Sequence, residues 1–504
     1  MFDRRRFLLA TLLVLGPTGP SFARTPVVPQ ASPLVGTWDG TYEPPGVVGG
    51  DPLSLLVASV EGERVRGTLV LPAGPLEFDG ILAGSTLRFT APMDDASVAL
   101  ELTLDGGTLT GRGRAEAFEW GFRLAHTDGA VLERSHAPRV VELASRERPA
   151  TFSLDGLDTE VAFALDELVN SVAEKNDIVG LSVACVVDGE LVDVRSLGWE
   201  DFFGDVPASG ETRYRWASIS KPLTATAALR MAARGAFDLD ADVRALVPEF
   251  PEKLVDGKTA RITPRLIMSH QSGITHYAGA TRTWRTYDAP HPFDELTNGL
   301  DLFRSAPLKF APGSRSDYST HAWTLLGVAL ERAGKKPYAE LVKELVLDPF
   351  GMTTTVPDRV ASPIPHRTHG YEPGPGGELV EIFDDDVAWK LPGGGWTSTA
   401  ADLARFGAGL IGSKVLSDDD KRLAWTDQKL PDGTATGLGL GFFLGTLEGE
   451  RVIEHSGGQR KASTFLAVMP ERRLAVAVMC NTARTPMQDI AYGALRLLLA
   501  APKR

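Results

Sequence analysis

From about Leu34 to Ala125 the chain alternates apolar and polar positions in short runs: Gly36 to Tyr42, Leu53 to Val60, Arg64 to Leu71, Gly80 to Phe89, Val98 to Leu104 and Phe118 to Leu124. A period of two puts successive side chains on opposite faces of a strand. Glu61-Gly62, Asp79-Gly80, Ala83-Gly84 and Asp105-Gly106-Gly107 punctuate the runs with residues suited to tight turns. Strands at this pitch, with no helical periodicity among them, predict a small all-β barrel or sandwich domain over residues 32–126. Trp38, Phe78, Phe89, Phe118, Trp120 and Phe122 read as its core.

The pattern then changes. Residues 127–155 hold Pro138, Pro149 and mixed charges and read as a linker. A helix from about Asp158 to Lys175 precedes Leu181 to Val187, Asp188-Gly189 and Glu190 to Ser196, which predicts a hairpin closed by a two-residue turn. Val452 to His455, Thr464 to Met469 and Leu474 to Cys480 are further strands, and Pro486 to Leu499 is a closing helix that starts at proline. Strands at both ends with helices and long loops between them predict an α+β unit over residues 156–504, in which helices cover one antiparallel sheet. A chain of 504 residues exceeds one hydrophobic core, in keeping with two folded units.

The first residues are a separate matter. Asp3-Arg4-Arg5-Arg6-Phe7-Leu8-Leu9 leads into an apolar stretch to Gly16, and Ser21-Phe22-Ala23 offers a small-x-small cleavage site. Residues 1–23 therefore read as a signal peptide, which predicts a periplasmic or secreted protein. The paired arginines resemble a twin-arginine signal, with Asp3 in place of the usual Ser or Thr, so either export route is open. The apolar stretch is too short to span a bilayer stably. A formal charge of −13, with no basic run beyond the signal, argues against nucleic acid and anionic membranes as partners. Small-molecule esters, peptides or cell-wall-derived substrates remain. Cys185 and Cys480 are too few to define a disulfide framework, and two free thiols or one bridge both stay open.

Candidate chemistry centres on Arg215-Trp216-Ala217-Ser218-Ile219-Ser220-Lys221-Pro222. The apolar, Ala-rich stretch Pro222 to Arg234 predicts a helix, so Ser218 and Lys221 stand one turn apart near its N-terminus. A serine hydroxyl needs an adjacent base, and a buried lysine serves once its pKa falls. Free N–H groups at the helix start can stabilise an oxyanion. An S-x-x-K alone is also compatible with an ordinary capping serine beside an exposed lysine.

Further segments follow in a fixed order: Ile262-Thr263-Pro264-Arg265-Leu266-Ile267-Met268-Ser269-His270-Gln271-Ser272-Gly273-Ile274, Pro312 to Gly327 with Tyr318-Ser319-Thr320-His321, Asp348-Pro349-Phe350-Gly351-Met352, Gly394-Gly395-Trp396-Thr397-Ser398-Thr399-Ala400-Ala401-Asp402-Leu403, and Ile453-Glu454-His455-Ser456-Gly457-Gly458. In that order and spacing the chain resembles the serine β-lactamase and penicillin-binding-protein superfamily, in its class C-like branch, from about Asp158 to Leu499. That branch also holds D,D-peptidases, esterases, D-aminopeptidases and mitochondrial β-lactamase-like proteins. The resemblance implies a β-lactamase-like antiparallel sheet covered by helices, with an all-helical lobe, and a hydrolase that needs no metal or organic cofactor. It also implies that Ser218 is the acylated nucleophile, that Lys221 and Tyr318 form a general base and acid pair, and that the N–H groups of Ser218 and Gly458 make the oxyanion hole. His455, with Ser456 and Gly457, stands where other members carry a lysine, and a hydrogen-bonding role near Tyr318 is expected of it. The strands bearing Cys185 and Cys480 lie side by side in that fold.

Two departures bear on substrate. Thr320 stands where many members have asparagine, and a hydroxyl cannot reproduce the amide's donor and acceptor geometry, which puts strong β-lactamase activity in doubt. Arg460 and Lys461 follow the third motif, where they are expected either to attract a substrate carboxylate or to form a solvated turn. His366 and His369 make an H-x-x-H pair without the partners that a zinc site needs. The leading expectation is an exported serine hydrolase cleaving a small ester or amide. A D,D-peptidase, D-aminopeptidase or weak β-lactamase is the alternative within the family, and a non-catalytic penicillin-binding or scaffold protein the alternative outside enzymology.

Overall fold

The computed structural model describes residues 34–43, 51–71, 74–93, 96–105, 108–115, 118–127, 139–277, 295–359, 362–374, 377–382 and 387–501. The expected signal peptide, residues 1–23, lies outside the described residues.

Strands β1 (Gly36–Glu43), β2 (Asp51–Glu61), β3 (Arg64–Leu71), β4 (Gly74–Ala83), β5 (Thr86–Met93), β6 (Ala96–Asp105), β7 (Thr108–Ala115) and β8 (Phe118–Thr127) form a closed barrel in which each strand pairs with the next and β8 returns to β1. Closure leaves no edge strand to be managed. Alternate positions fill the interior: Trp38, Leu55, Val57, Val65, Leu69, Phe78, Leu87, Phe89, Leu100, Leu102, Leu109 and Leu124 are buried together. Phe78 and Phe89 stack at 3.9 Å. The side chains of Phe118, Trp120 and Phe122 lie outside what is described. Two differences from the sequence pattern stand out. The run Gly80 to Phe89 is not one strand but parts of β4 and β5, with Gly84 at φ +64 in the turn between them. Strand β7 was not expected, because Thr108–Ala115 carries Gly111, Gly113 and two arginines.

The second unit is built on one antiparallel sheet. Its strands are β9 (Ala150–Asp155), β10 (Gly180–Val187), β11 (Glu190–Asp201), β12 (Val206–Pro207), β13 (Phe443–Leu447), β14 (Glu450–Gln459), β15 (Ala462–Met469) and β16 (Leu474–Cys480). They run in the order β12-β11-β10-β16-β15-β14-β13, with β9 also paired to β11. The expected linker 127–155 is thus too long at its C-terminal end, since its last residues already belong to the sheet of the second unit. The β10–β11 turn is as expected: Asp188 and Gly189 have φ of +53 and +82, the two positive angles of a type I′ hairpin.

Helices cover both faces, so the central strands read as continuous apolar runs. On one face Val476, Val478 and Cys480 of β16 pack with Leu165, Val169 and Ala173 of α1 (Thr159–Lys175) and with Ile490, Ala491, Ala494 and Leu495 of the closing helix Met487–Ala500. On the other, Ala475, Ala477 and Met479 meet the helical part of the chain. That part includes α2 (Ser220–Ala233), α3 (His321–Gly334) and α4 (Ala400–Ile411), with α5 being the closing helix. It is not purely helical, as short strand pairs such as Gly370–Pro373 with Leu379–Ile382 interrupt it. Helix α2 is buried on nearly every side, which explains its Ala-rich composition without an amphipathic stripe. Cys185 and Cys480 lie on neighbouring strands but are out of register, opposite Val476 and Leu181 respectively, and both are free and buried.

Candidate active site

The turn that carries Ser218 is clamped from two sides before helix α2 begins. Trp216 donates its backbone N–H to Trp396 O at 2.8 Å and its indole N–H to Ser398 Oγ at 2.7 Å, and its own carbonyl accepts from Thr464 Oγ1 of β15 at 3.0 Å. Arg215, one residue earlier, is held by buried Asp358 at 2.5 Å. So anchored, Ala217 adopts φ +47, a left-handed angle that a residue with a Cβ takes only when its surroundings impose it. Ser218 follows in a single 3₁₀ turn, Ala217–Ile219, that leads into α2.

Within the first turn of α2, Lys221 lies fully buried with its Nζ 3.0 Å from Ser218 Oγ, 2.7 Å from Gly393 O and 3.2 Å from Thr320 Oγ1. Tyr318, on the segment entering α3, donates its hydroxyl to Ser218 Oγ at 2.7 Å. The ammonium position also sits 4.8 Å from the Tyr318 ring centroid. Burial, reinforced by the neighbouring Lys390 cation, holds the Lys221 amine well below the ordinary lysine value. Burial drives the Tyr318 phenol the other way, above its ordinary value, against a smaller opposing effect of the Ser218 hydrogen bond. Both groups are thereby biased to their neutral forms.

A neutral amine has two N–H donors and one lone pair. Gly393 O and Thr320 Oγ1 are the two acceptors, which leaves the lone pair facing the Ser218 hydroxyl. Thr320, expected to shape substrate recognition, is thus engaged with Lys221, and its methyl packs on Gly393.

Strand β14 brings the third motif to the same turn. A Cβ on Gly457 would collide with Thr464 Oγ1 and Trp216 O, so glycine is what permits this close approach. Strand β13 pairs only with Glu450 to Glu454, so the side of β14 from His455 onward is unpaired by strand among the described residues. Ser456 and Gly458 are exposed there while Gly457 is buried. His455 is buried, and that burial is the main cause that lowers it to about 3. Its Nδ1 donates to Ser456 O at 2.6 Å.

Arg460 and Lys461 are placed away from the expected role. Arg460 pairs with Glu372 at 3.0 Å. Lys461 has φ +70 and is buried, its stem packed on Gly370. Both therefore tie β14 to the Gly370–Pro373 strand. The histidines of the H-x-x-H pair sit between carboxylates: His369 Nδ1 is 2.6 Å from Glu381 and Nε2 is 3.7 Å from Asp201, and His366 approaches Glu200 and Glu211 at 3.4 and 3.3 Å. Asp201, His369 and Glu381 could geometrically hold an ion. The salt bridge of Arg139 to the same Glu381, at 2.9 Å, opposes that use.

Sequence reasoning missed the carbonyl of Gly393 and the histidines around Tyr318. A run of glycines at 393–395 was the available signal for the first, and the Ser269-His270-Gln271-Ser272-Gly273 motif for the second.

A strained serine turn, a buried lysine and a tyrosine meeting at one hydroxyl can be set against known proteins. The family model described as Beta-lactamase matches residues 165–501. The chain belongs to the beta-lactamase family. The mouse mitochondrial serine beta-lactamase-like protein LACTB is 27% identical over 476 residues, covering 73% of this chain and 85% of that protein. Esterase EstB of Burkholderia gladioli is 34% identical over 245 residues, 45% of this chain and 59% of that one. Among solved structures, D-amino acid amidase of Ochrobactrum anthropi SV3 superposes with a TM-score of 0.59 at 18% identity, over 68% of this chain and 99% of the other, a likeness of fold. The chain is accordingly a serine hydrolase of the beta-lactamase type.

Proposed function

We propose that this protein is an exported hydrolase that cleaves a small ester or amide through an acyl-enzyme on Ser218, with Lys221 as general base and Tyr318 as general acid. The observation that carries the reading is the convergence of Lys221 Nζ and Tyr318 OH on one Ser218 Oγ, at 3.0 and 2.7 Å. Ser218 Oγ bonds to the acyl carbon as its proton passes to the Lys221 lone pair. The N–H groups of Ser218 and Gly458 receive the oxyanion. As the tetrahedral species collapses, the bond to the leaving group breaks, Tyr318 protonates the departing oxygen or nitrogen, and Lys221 reprotonates Tyr318. Water then attacks the acyl-enzyme and the same groups return Ser218 to its hydroxyl.

Engagement of the Thr320 hydroxyl by Lys221 favours an ester over a β-lactam, because no side-chain amide at that position is offered to an acylamido carbonyl. The relative named an esterase supports the same bond type. Export rests on the residue 1–23 signal, whose cleavage after Ala23 would leave Arg24 as the first residue. A short-chain chromogenic ester tests the hydrolase reading. Turnover by the purified wild type and none by Ser218→Ala supports it, and equal behaviour of the two proteins leaves binding or scaffolding instead.

A further inference from the structure

Two histidines from one short segment, His270 buried and His276 half-buried, flank Tyr318. The His270 ring lies face to face with the phenol at 4.3 Å and 28°, and the His276 ring meets it edge-on at 5.5 Å and 88°. Each ring also takes a backbone amide from the residues that follow the tyrosine. Ser319 N–H donates to His270 Nδ1 and Thr320 N–H to His276 Nδ1, both at 3.2 Å. His270 holds φ +58, a left-handed angle, and its carbonyl accepts the Asp317 N–H at 2.8 Å. Residues 317, 319 and 320 are thus all tied to this pair, and Tyr318 is gripped on both sides of its position in the chain.

We propose that His270 and His276 are positioning residues for Tyr318, their Nδ1 atoms accepting the Ser319 and Thr320 amides so that the phenol is aimed at Ser218. This rests on the reading of Tyr318 as the general acid. An Nδ1 that accepts is unprotonated, so both rings carry their proton on Nε2 and must stay neutral. Their surroundings enforce that state. Around His276 stand Lys221, Lys390 and Lys309 with one opposing carboxylate, Asp317, and the rings of Tyr277 and Tyr318, and the group is lowered to about 4, chiefly by burial. Around His270 stand Lys221, His455 and His276 with the rings of Tyr318 and Trp323, and burial again dominates the downward shift.

His270 is deep in the core at 4% exposed, so its substitution risks the fold and His276 is the residue to change. The number of active sites is first counted with a fluorophosphonate probe on Ser218. A wild type that takes no label defeats the hydrolase reading itself, independently of the histidines. With labelled sites counted, His276→Leu is expected to lower kcat per site about 10–100-fold with KM nearly unchanged, the scale of a misaimed catalytic group. His276→Asn, whose side-chain oxygen can stand where Nδ1 stood, is expected to recover most of that loss. In ¹⁵N imidazole spectra at neutral pH both histidines should appear as the Nε2–H tautomer. Unchanged kcat per labelled site in His276→Leu, an Asn variant as impaired as the Leu variant, or an Nδ1–H tautomer at either ring overturns the proposal.

Discussion

Burial pushes Lys221 and Tyr318 toward neutrality from opposite ends of the pH scale, and this gives the site a characteristic pH response. In the proposed mechanism Lys221 is the base, and a lysine base is competent only when unprotonated. As pH rises through the lowered value of Lys221 the neutral amine forms, so kcat/KM climbs and levels off well below the ordinary lysine value near 10.4. Tyr318, held above its ordinary value near 10, keeps its proton throughout that range. The expected profile is therefore a single acid limb with no alkaline fall up to about pH 10, and a decline between pH 8 and 10 would contradict the assignment. Lys221→Arg, which cannot lose its proton, should cost on the order of 10²–10⁴ in kcat. The Ser218–Lys221 pair was legible in sequence because a three-residue spacing on a helix fixes proximity locally. Tyr318, a hundred residues on, became legible only through the family's motif order. His270 lies in a segment of that same motif order and Gly393 in a glycine run, but neither signal says what the residue does, and His276 carries no motif at all.

At the level of elements, the site depends on how closely β14 approaches the nucleophile turn. Gly457→Ala would drive a methyl group against Trp216 O and Thr464 Oγ1, the contact that holds the Ala217 backbone in its left-handed angle. A destabilisation of about 1–3 kcal/mol is expected from the overpacking. Activity per folded molecule should fall as well, because Ser218 moves with the turn. Retention of wild-type kcat/KM with only a lower Tm would separate strand packing from catalysis. Arg460 and Lys461 show where linear reasoning failed. Position after the third motif leaves open a carboxylate-attracting Arg460 or Lys461 and a solvated turn, whereas Arg460 pairs with Glu372 and the buried stem of Lys461, at positive φ, packs on Gly370. In the barrel, β7 escaped notice for a related reason. Gly111 breaks the apolar alternation, yet a Cβ there would strike Glu101 O, so the same glycine lets β6 and β7 pair closely.

Over the whole molecule, a closed barrel precedes a hydrolase sheet whose first strand in the chain, β9, begins at Ala150 and pairs with β11. Composition assigns that strand to a linker because ATFSLD is short, half polar and follows Pro149; in the fold it is correspondingly little buried. A variant starting at residue 139 keeps β9 and is expected to fold and hydrolyse small esters. One starting at residue 156 strips the pairing partner from β11 and should melt at lower temperature. Equal stability of the two would mean that β9 contributes nothing to the sheet. Among the described residues no helix is long and apolar enough to cross a membrane. The central claim is that acyl transfer passes through Ser218, and the most direct measurement is the intact mass of the purified protein during ester turnover, followed by peptide mapping. The account predicts a transient gain of one acyl group, located on the peptide that holds Ser218, absent from Ser218→Ala and prolonged in Tyr318→Phe. Turnover without a Ser218 adduct, or an adduct mapped to another residue, would contradict it.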